Sequence, residues 1–241
     1  MSRKGKMVDK EIRSEYLNET MTLRIYSPAT ISTSYPFSIC IVQDGNDYYQ
    51  MGRLATVSDR LHEDRQLHNT IFIGIHYQDR FDRREKYHPD GEQNENYIKF
   101  LGEEVIPYVD QLIPNMKNGK SYSLMGDSLA GTLALMTSLA YPDLFEKIIM
   151  QSPLVNETVL EKVKNADTLN NFKIYHTIGT EETEVVMTDG MIADFVKPNR
   201  ELNELLVQNC SNYVYHELED AQHTWKYWQN DMQRVLTTMF E

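Results

Sequence analysis

The chain has 241 residues, enough for one α/β domain with a sizeable core. With 41% hydrophobic and 25% charged residues it has the composition of a globular protein, which excludes a fibrous or disordered chain. A formal net charge of -12 repels phosphate backbones and anionic lipid heads, so nucleic-acid and membrane-surface roles are not expected and a small neutral or cationic substrate fits better.

In chain order, no apolar run follows the basic start Met1 to Lys6, so neither a signal peptide nor a membrane span is expected, and the chain is read as cytoplasmic. Glu11 to Tyr16 and Thr20 to Ser27 read as two strands joined at Asn18 and Glu19, an antiparallel hairpin at a sheet edge. Short apolar runs then recur at Phe37 to Val42, Ile71 to Ile75, Tyr122 to Met125, Ile148 to Met150, Phe172 to Thr177 and Tyr213 to His216. Their continuous apolarity predicts strands buried on both faces. Helical spacing covers Asn94 to Leu112, Leu129 to Ala140, Arg200 to Gln208 and Thr224 to Phe240. Strand-helix alternation predicts an α/β fold, a mainly parallel sheet with helices on both faces, as one domain over residues 1–241. Asp79 to Glu85 is dense in charges of both signs. The two cysteines, Cys40 and Cys210, lack metal-ligand spacing and read as reduced and structural.

The most informative window runs from Ser121 through Gly126-Asp127-Ser128-Leu129-Ala130 to Met136, a strand turning sharply into a helix. Gly126, Ser128 and Ala130 occupy the G-x-S-x-G positions. In that motif the serine sits on a strained turn, and its neighbours must be small for strand and helix backbones to approach each other. The helix N-terminus aims its dipole and free N–H groups at an oxyanion forming there, with the Leu129 N–H as one donor. Serine also serves as an ordinary helix N-cap, but strand, turn and helix all fall where a nucleophile requires them.

Of seven histidines, only His223 lies in a loop between the last predicted strand and the last predicted helix. A neutral imidazole there takes the serine proton and returns it to the leaving alcohol. His176 and His216 fall inside strands, and His62, His68, His76 and His88 precede the serine. In α/β-hydrolase chain order the acid lies between serine and histidine, at a strand end. After the strand reaching Gly179, Thr180-Glu181-Glu182-Thr183-Glu184 offers three carboxylates. Glu182 is preferred because Gly179 can make the exit turn and the third residue beyond it points back toward the histidine. Glu181, Glu184, Asp189 and Asp194 stay open as alternatives.

With these residues in hand, the chain resembles the esterase branch of the α/β-hydrolases that includes enterochelin-type siderophore esterases, S-formylglutathione hydrolases, feruloyl and acetyl-xylan esterases, and mycolyltransferases. The family's strand ending in Asp-Gly is similar to Ile39 through Asp44-Gly45-Asn46, and the resemblance implies the Asn46 N–H as second oxyanion donor. Arg83 to Pro89 is similar to its R-x-x-E-Y-x-P segment, and Phe100 to Asp110 to its F-L-x-x-E-L-I-P-Y-I-D helix. Ala140 to Phe145, Gln151-Ser152-Pro153 and His223-Thr-Trp225-Lys-Tyr-Trp228 are similar to its H-P-D-L-F, S-[GP] and H-x-W-x-x-W segments. Ala130 and Ala221-Gln222 depart from the family's usual glycines. Trp225 and Trp228 are expected to pack the last helix rather than to touch substrate.

The resulting expectation is a serine esterase acting on a small-molecule ester such as a siderophore lactone or acylated sugar, with neither metal nor organic cofactor. The short stretch from Ser128 to Glu182 leaves little room for a helical cap, and Val185 to Pro198 is expected to act as a partial flap. Acyl transfer by the same residues and an idle α/β-hydrolase scaffold that binds a ligand or partner are the rival readings. The sequence leaves open whether the chain forms a homo-oligomer.

Overall fold

The computed structural model describes residues 4–32, 35–113 and 119–241. Strands β1 (Lys6–Ser14) and β2 (Glu19–Ser27) form the expected hairpin, with Asn18 in the left-handed region at the turn and Glu19 already in the second strand. β3 (Phe37–Val42) leads into α1 (Gly45–Gln50) and α2 (Leu54–Glu63), and β4 (Thr70–Ile75) into α3 (Arg80–Tyr87). A long helix follows as α4 (Asn94–Lys99), a π-helical stretch Phe100–Val105, and α5 (Ile106–Leu112). The π stretch lies where Pro107 supplies no N–H and its ring would clash with the carbonyl of Glu103 in a regular α-helix. β5 (Lys120–Asp127), α6 (Leu129–Ala140), β6 (Phe145–Gln151), α7 (Glu157–Lys164) and β7 (Lys173–Gly179) alternate through the centre. A two-residue hairpin, β8 (Val185–Val186) with β9 (Ile192–Ala193), precedes α8 (Val196–Asn209), β10 (Tyr213–Leu218) and α9 (Trp225–Phe240).

The main sheet has eight strands in the order β1-β2-β4-β3-β5-β6-β7-β10. The pairings among β1, β2 and β4 are antiparallel, and every pairing from β4 to β10 is parallel. The two-residue period of a strand divides each central strand between two cores. In β3, Ile39 and Ile41 join a cluster with Tyr97, Phe100, Leu133 and Leu202, whereas Cys40 and Val42 join Tyr48, Leu61, Met232 and Leu236. One face is therefore covered by helices from α4 to α8 and the other by α1, α2 and α9.

Helix α6 is apolar almost all round, as a helix enclosed on every side must be. Cys40 and Cys210 are free and buried, as expected. α1, α2, α3 and α7 went unread in the sequence. They are short, and the first two begin at Asp44 and Arg53 in left-handed geometry with no side-chain cap to announce them. Among the described residues no helix is long and apolar enough to cross a membrane.

Candidate active site

The candidate side chains collect where the parallel strands end at their C-termini, the place an open α/β sheet offers a crevice. β5 ends at Asp127, and Ser128 follows with φ 50° and ψ -126°, a left-handed geometry that costs roughly 1–3 kcal/mol and is held by the elements around it. The Ser128 N–H donates to the Gln151 carbonyl at 2.9 Å, while its own carbonyl accepts from Gly131 and Thr132 at 3.0 and 3.2 Å. Gly126 makes the turn feasible, since a Cβ there would lie 2.3 Å from the Ala130 carbonyl carbon. The Ala130 carbonyl oxygen and methyl lie nearly as close to that position, at 2.4 and 2.7 Å, so strand and helix meet here backbone to backbone. Leu129 opens α6, where backbone N–H groups have no intrahelical acceptor.

Glu182 lies just beyond β7 and is 2% exposed. Its Oε1 accepts from the Gly179 N–H at 2.8 Å and from the Ser152 hydroxyl at 2.7 Å. Its Oε2 lies 2.6 Å from His223 Nδ1. An ionised carboxylate can only accept, so this contact places a proton on Nδ1, and in the neutral imidazole Nε2 then keeps its lone pair. Glu181, Glu184, Asp189 and Asp194 are exposed, and Asp194 instead caps α8 by accepting from Val196 N–H at 2.8 Å. Of these five carboxylates, it is Glu182 that lies against His223. A Cβ on Gly179 would sit 2.7 Å from the Glu182 carboxylate, so the exit glycine makes room for the acid itself.

His223 is wedged between Phe195, at 4.7 Å between ring centres, and the edge of Trp228, at 4.9 Å. Trp228 Nε1 donates to the Ser152 hydroxyl at 2.9 Å, completing a chain from indole through hydroxyl to carboxylate to imidazole. Ser152 shares the left-handed backbone of Ser128, with φ 49°. Gln151 fixes the same helix by donating its amide to the Trp228 carbonyl at 3.1 Å. The expectation that Trp225 and Trp228 only pack the last helix is corrected here: both also line the cleft.

That cleft, about 280 Å³, brings Ser128, Leu129 and His223 together with Asp44, Asp47 and Asp127, beneath Val185 to Thr188 of the β8–β9 hairpin. Among the described residues the Ser128 hydroxyl makes no hydrogen bond, as in many substrate-free sites where the nucleophile contact tightens only on binding. Asn46 lies in the first turn of α1, but its side chain accepts from Arg24 at 2.7 Å and faces an adjoining cleft of about 320 Å³. Tyr77 is shared by both clefts. A smaller apolar chamber of about 170 Å³ adjoins through Leu154, Met187 and Phe195. No group of histidine, cysteine and acidic residues among those described is arranged to hold a metal ion.

Three residues that the sequence analysis named only as parts of separate motifs, Asp44, Arg83 and Asp127, also line the cleft. Arg83 forks onto the buried Asp44 carboxylate, with Nε at 3.0 Å and Nη2 at 2.6 Å, and reaches the Asp127 carbonyl at 3.4 Å. Burial, with Asp44 beside it, pushes the Asp127 carboxyl well above the usual range, and burial likewise raises Asp47. The Arg-Glu-Tyr and Asp-Gly resemblances carried Arg83 and Asp44 without indicating that they pair.

Comparison with known proteins agrees with this architecture. Residues 14–239 match the model of the family described as "Putative esterase". A Bacillus subtilis (strain 168) protein named Uncharacterized protein YjcH is 44% identical over 225 residues, covering 93% of each chain. The enterobactin esterase FES from Shigella flexneri superposes with a TM-score of 0.79 at 17% identity, over 96% of this chain and 58% of that one. The chain therefore spans little more than half the length of that esterase. The BES protein from Bacillus cereus superposes with a TM-score of 0.78 at 19% identity, over 100% and 96% of the two chains. A ferulic acid esterase gives 0.75 at 15% identity over 97% of each.

Proposed function

Because the chain belongs to the "Putative esterase" family of the α/β-hydrolase superfamily, we propose that it is a serine carboxylesterase acting through an acyl-enzyme on Ser128. The observation that carries this reading is the 2.6 Å contact of buried Glu182 with His223 in the cleft where Ser128 stands on its left-handed turn. Glu182 holds the imidazole with Nδ1 protonated, so Nε2 accepts the proton of the Ser128 hydroxyl as the oxygen attacks the ester carbonyl. The carbonyl oxygen becomes an oxyanion, held by the Leu129 N–H at the start of α6 and the Asn46 N–H at the start of α1. Collapse of this intermediate breaks the ester bond, and His223 returns the proton to the departing alcohol. Water, deprotonated by the same imidazole, then attacks the acyl-enzyme, and the acid is released with Ser128 restored.

No step in this route draws on a metal or organic cofactor. A small-molecule ester is the natural partner of a cleft this size, and the hairpin β8–β9 acts as a partial flap over it. The test is hydrolysis of p-nitrophenyl acetate and butyrate by the native chain and by Ser128→Ala, with circular dichroism on both. Removing a nucleophile of this kind lowers kcat by about 10⁴ to 10⁶. Equal rates in two folded proteins would eliminate Ser128 as the nucleophile.

A further inference from the structure

We propose that the acid-lined wall of the cleft, centred on Asp127, binds a protonated amine carried by the ester substrate. This inference rests on the serine-esterase reading and names the substrate class within it.

Asp127 immediately precedes the nucleophile, lines the cleft and is 4% exposed, yet its Oδ1 is enclosed with no hydrogen-bond partner. Buried carboxylates nearly always have partners, because desolvating one without compensation is costly. The neighbouring cations are otherwise engaged. Arg83 is committed to Asp44 as a two-pronged pair and touches only the backbone oxygen of Asp127. Arg80, at the exposed rim, lies over the Phe81 ring at 4.7 Å. Asp47 faces the same space with a single long contact, 3.3 Å from the Tyr77 hydroxyl.

Asp127 lines the cleft with a carboxyl that is short of partners, and Asp47 beside it has only the one long contact, so a donor entering with the substrate would find both acceptors under-used. An ammonium group suits this wall better than a hydroxyl for two reasons. It supplies the charge that lets both carboxyls ionise in a low-dielectric setting. It can also rest against the aromatic side chains of Tyr77, Trp225 and Trp228, which line the same cleft. The net charge of -12 draws cations toward the molecule before binding. The adjoining chamber, where Leu154, Val155, Met187, Ala193 and Phe195 outnumber His88, Asn156 and Asp194, is mainly apolar and leaves the rest of the substrate a separate place.

The experiment compares isosteric esters on the full chain at neutral pH. Dimethylaminoethyl acetate is set against isoamyl acetate, placing the charge on the alcohol. Ethyl dimethylaminobutyrate is set against ethyl methylhexanoate branched at the same atom, placing it on the acyl group. The expected result is a kcat/KM at least about tenfold higher for the cationic ester in one pair, falling to about threefold or less in Asp127→Asn. Asp47→Asn serves as the second variant should Asp127→Asn fail to fold. Equal rates within both pairs, or a cation preference unchanged by the substitutions, would overturn the inference while leaving the esterase reading intact. Where acetates are turned over too slowly, protection of Ser128 from a fluorophosphonate probe by dimethylaminoethanol but not by isoamyl alcohol is the expected result. Equal protection overturns the inference. Absence of both turnover and labelling overturns the esterase reading, and the amine site with it.

Discussion

Replacing Ser152 with alanine removes one hydroxyl that serves two buried partners. It donates to Glu182 Oε1 at 2.7 Å and accepts from Trp228 Nε1 at 2.9 Å. Glu182 and Trp228 are 2% and 4% exposed, so water does not take the vacated place. Losing a hydrogen bond to a charged group costs about 1.5–3 kcal/mol, and an unpaired indole N–H adds about 1 kcal/mol, for a total near 3 kcal/mol of folding stability. Alanine keeps the Cβ, so the left-handed backbone at this position is not itself changed. Glu182 retains the Gly179 N–H and His223, so catalysis weakens rather than stops. If about half the loss appears as misorientation of the imidazole, about 1.4 kcal/mol, kcat falls about tenfold with KM little changed. Glu182→Gln, which can hold the wrong tautomer, should cost about 10⁴ instead. The assay is p-nitrophenyl butyrate turnover, with kcat and KM resolved, alongside urea unfolding of each variant. Trp228→Phe and the double variant close the cycle, which should be strongly non-additive because both changes break one chain. A Ser152→Ala protein with native kcat and stability within about 0.5 kcal/mol of the parent would refute the idea that this chain holds the acid in place.

Three further outcomes follow from the packing. Arg83→Ala strands the buried Asp44 carboxylate and should cost about 3–5 kcal/mol in urea unfolding, and Arg83→Lys should not restore it because a single ammonium cannot reproduce the forked contact. Gly126→Ala forces a methyl into the Ala130 backbone and should lower soluble yield and unfolding midpoint by the equivalent of about 3 kcal/mol or more. His176 is enclosed by Tyr213 and Asn199, and burial pushes its pKa from 6.5 to about 4. The unfolded chain therefore takes up this proton first, and His176 contributes a stability loss of roughly 3 kcal/mol as pH falls from 6.5 toward 4. Unfolding free energies measured across that window should fall less steeply in His176→Gln, and an identical slope would remove His176 as the source.

Much of the architecture was legible before any coordinates, because buried parallel strands and amphipathic helices follow local period rules. β3 and α6 came out with the expected bounds, while β5 and β6 extended at both ends, β10 ran on through Glu217 to Leu218, and β7 began one residue later and ran on through Ile178 to Gly179. The sharp turn at Ser128 was equally legible, since Gly126, Ser128 and Ala130 lie two positions apart in the chain and their spacing is itself the steric requirement. The order serine, acid, histidine likewise narrowed the site to one loop after β7 and one before α9.

What only the tertiary structure decided are the matters in which side chains distant in sequence must choose one another. Glu181, Glu182 and Glu184 look alike in a string of letters. Glu182 differs from the other two because the Gly179 N–H, Ser152 and His223 converge on its buried carboxylate from the end of β7, the end of β6 and the loop before α9. Arg83 and Asp44 sit in separate motifs, and their pairing follows from α3 folding back over the end of β3. Trp228 lies on a helix face whose period suggests core alone, yet its indole reaches Ser152 at the end of β6. Period and spacing record how a backbone folds on itself over a few residues, so the sequence alone determines the main sheet, the longer helices and the serine turn. Hydrogen-bond partners and the charge of a cleft depend on which strand ends meet, and that is settled only by the packed sheet.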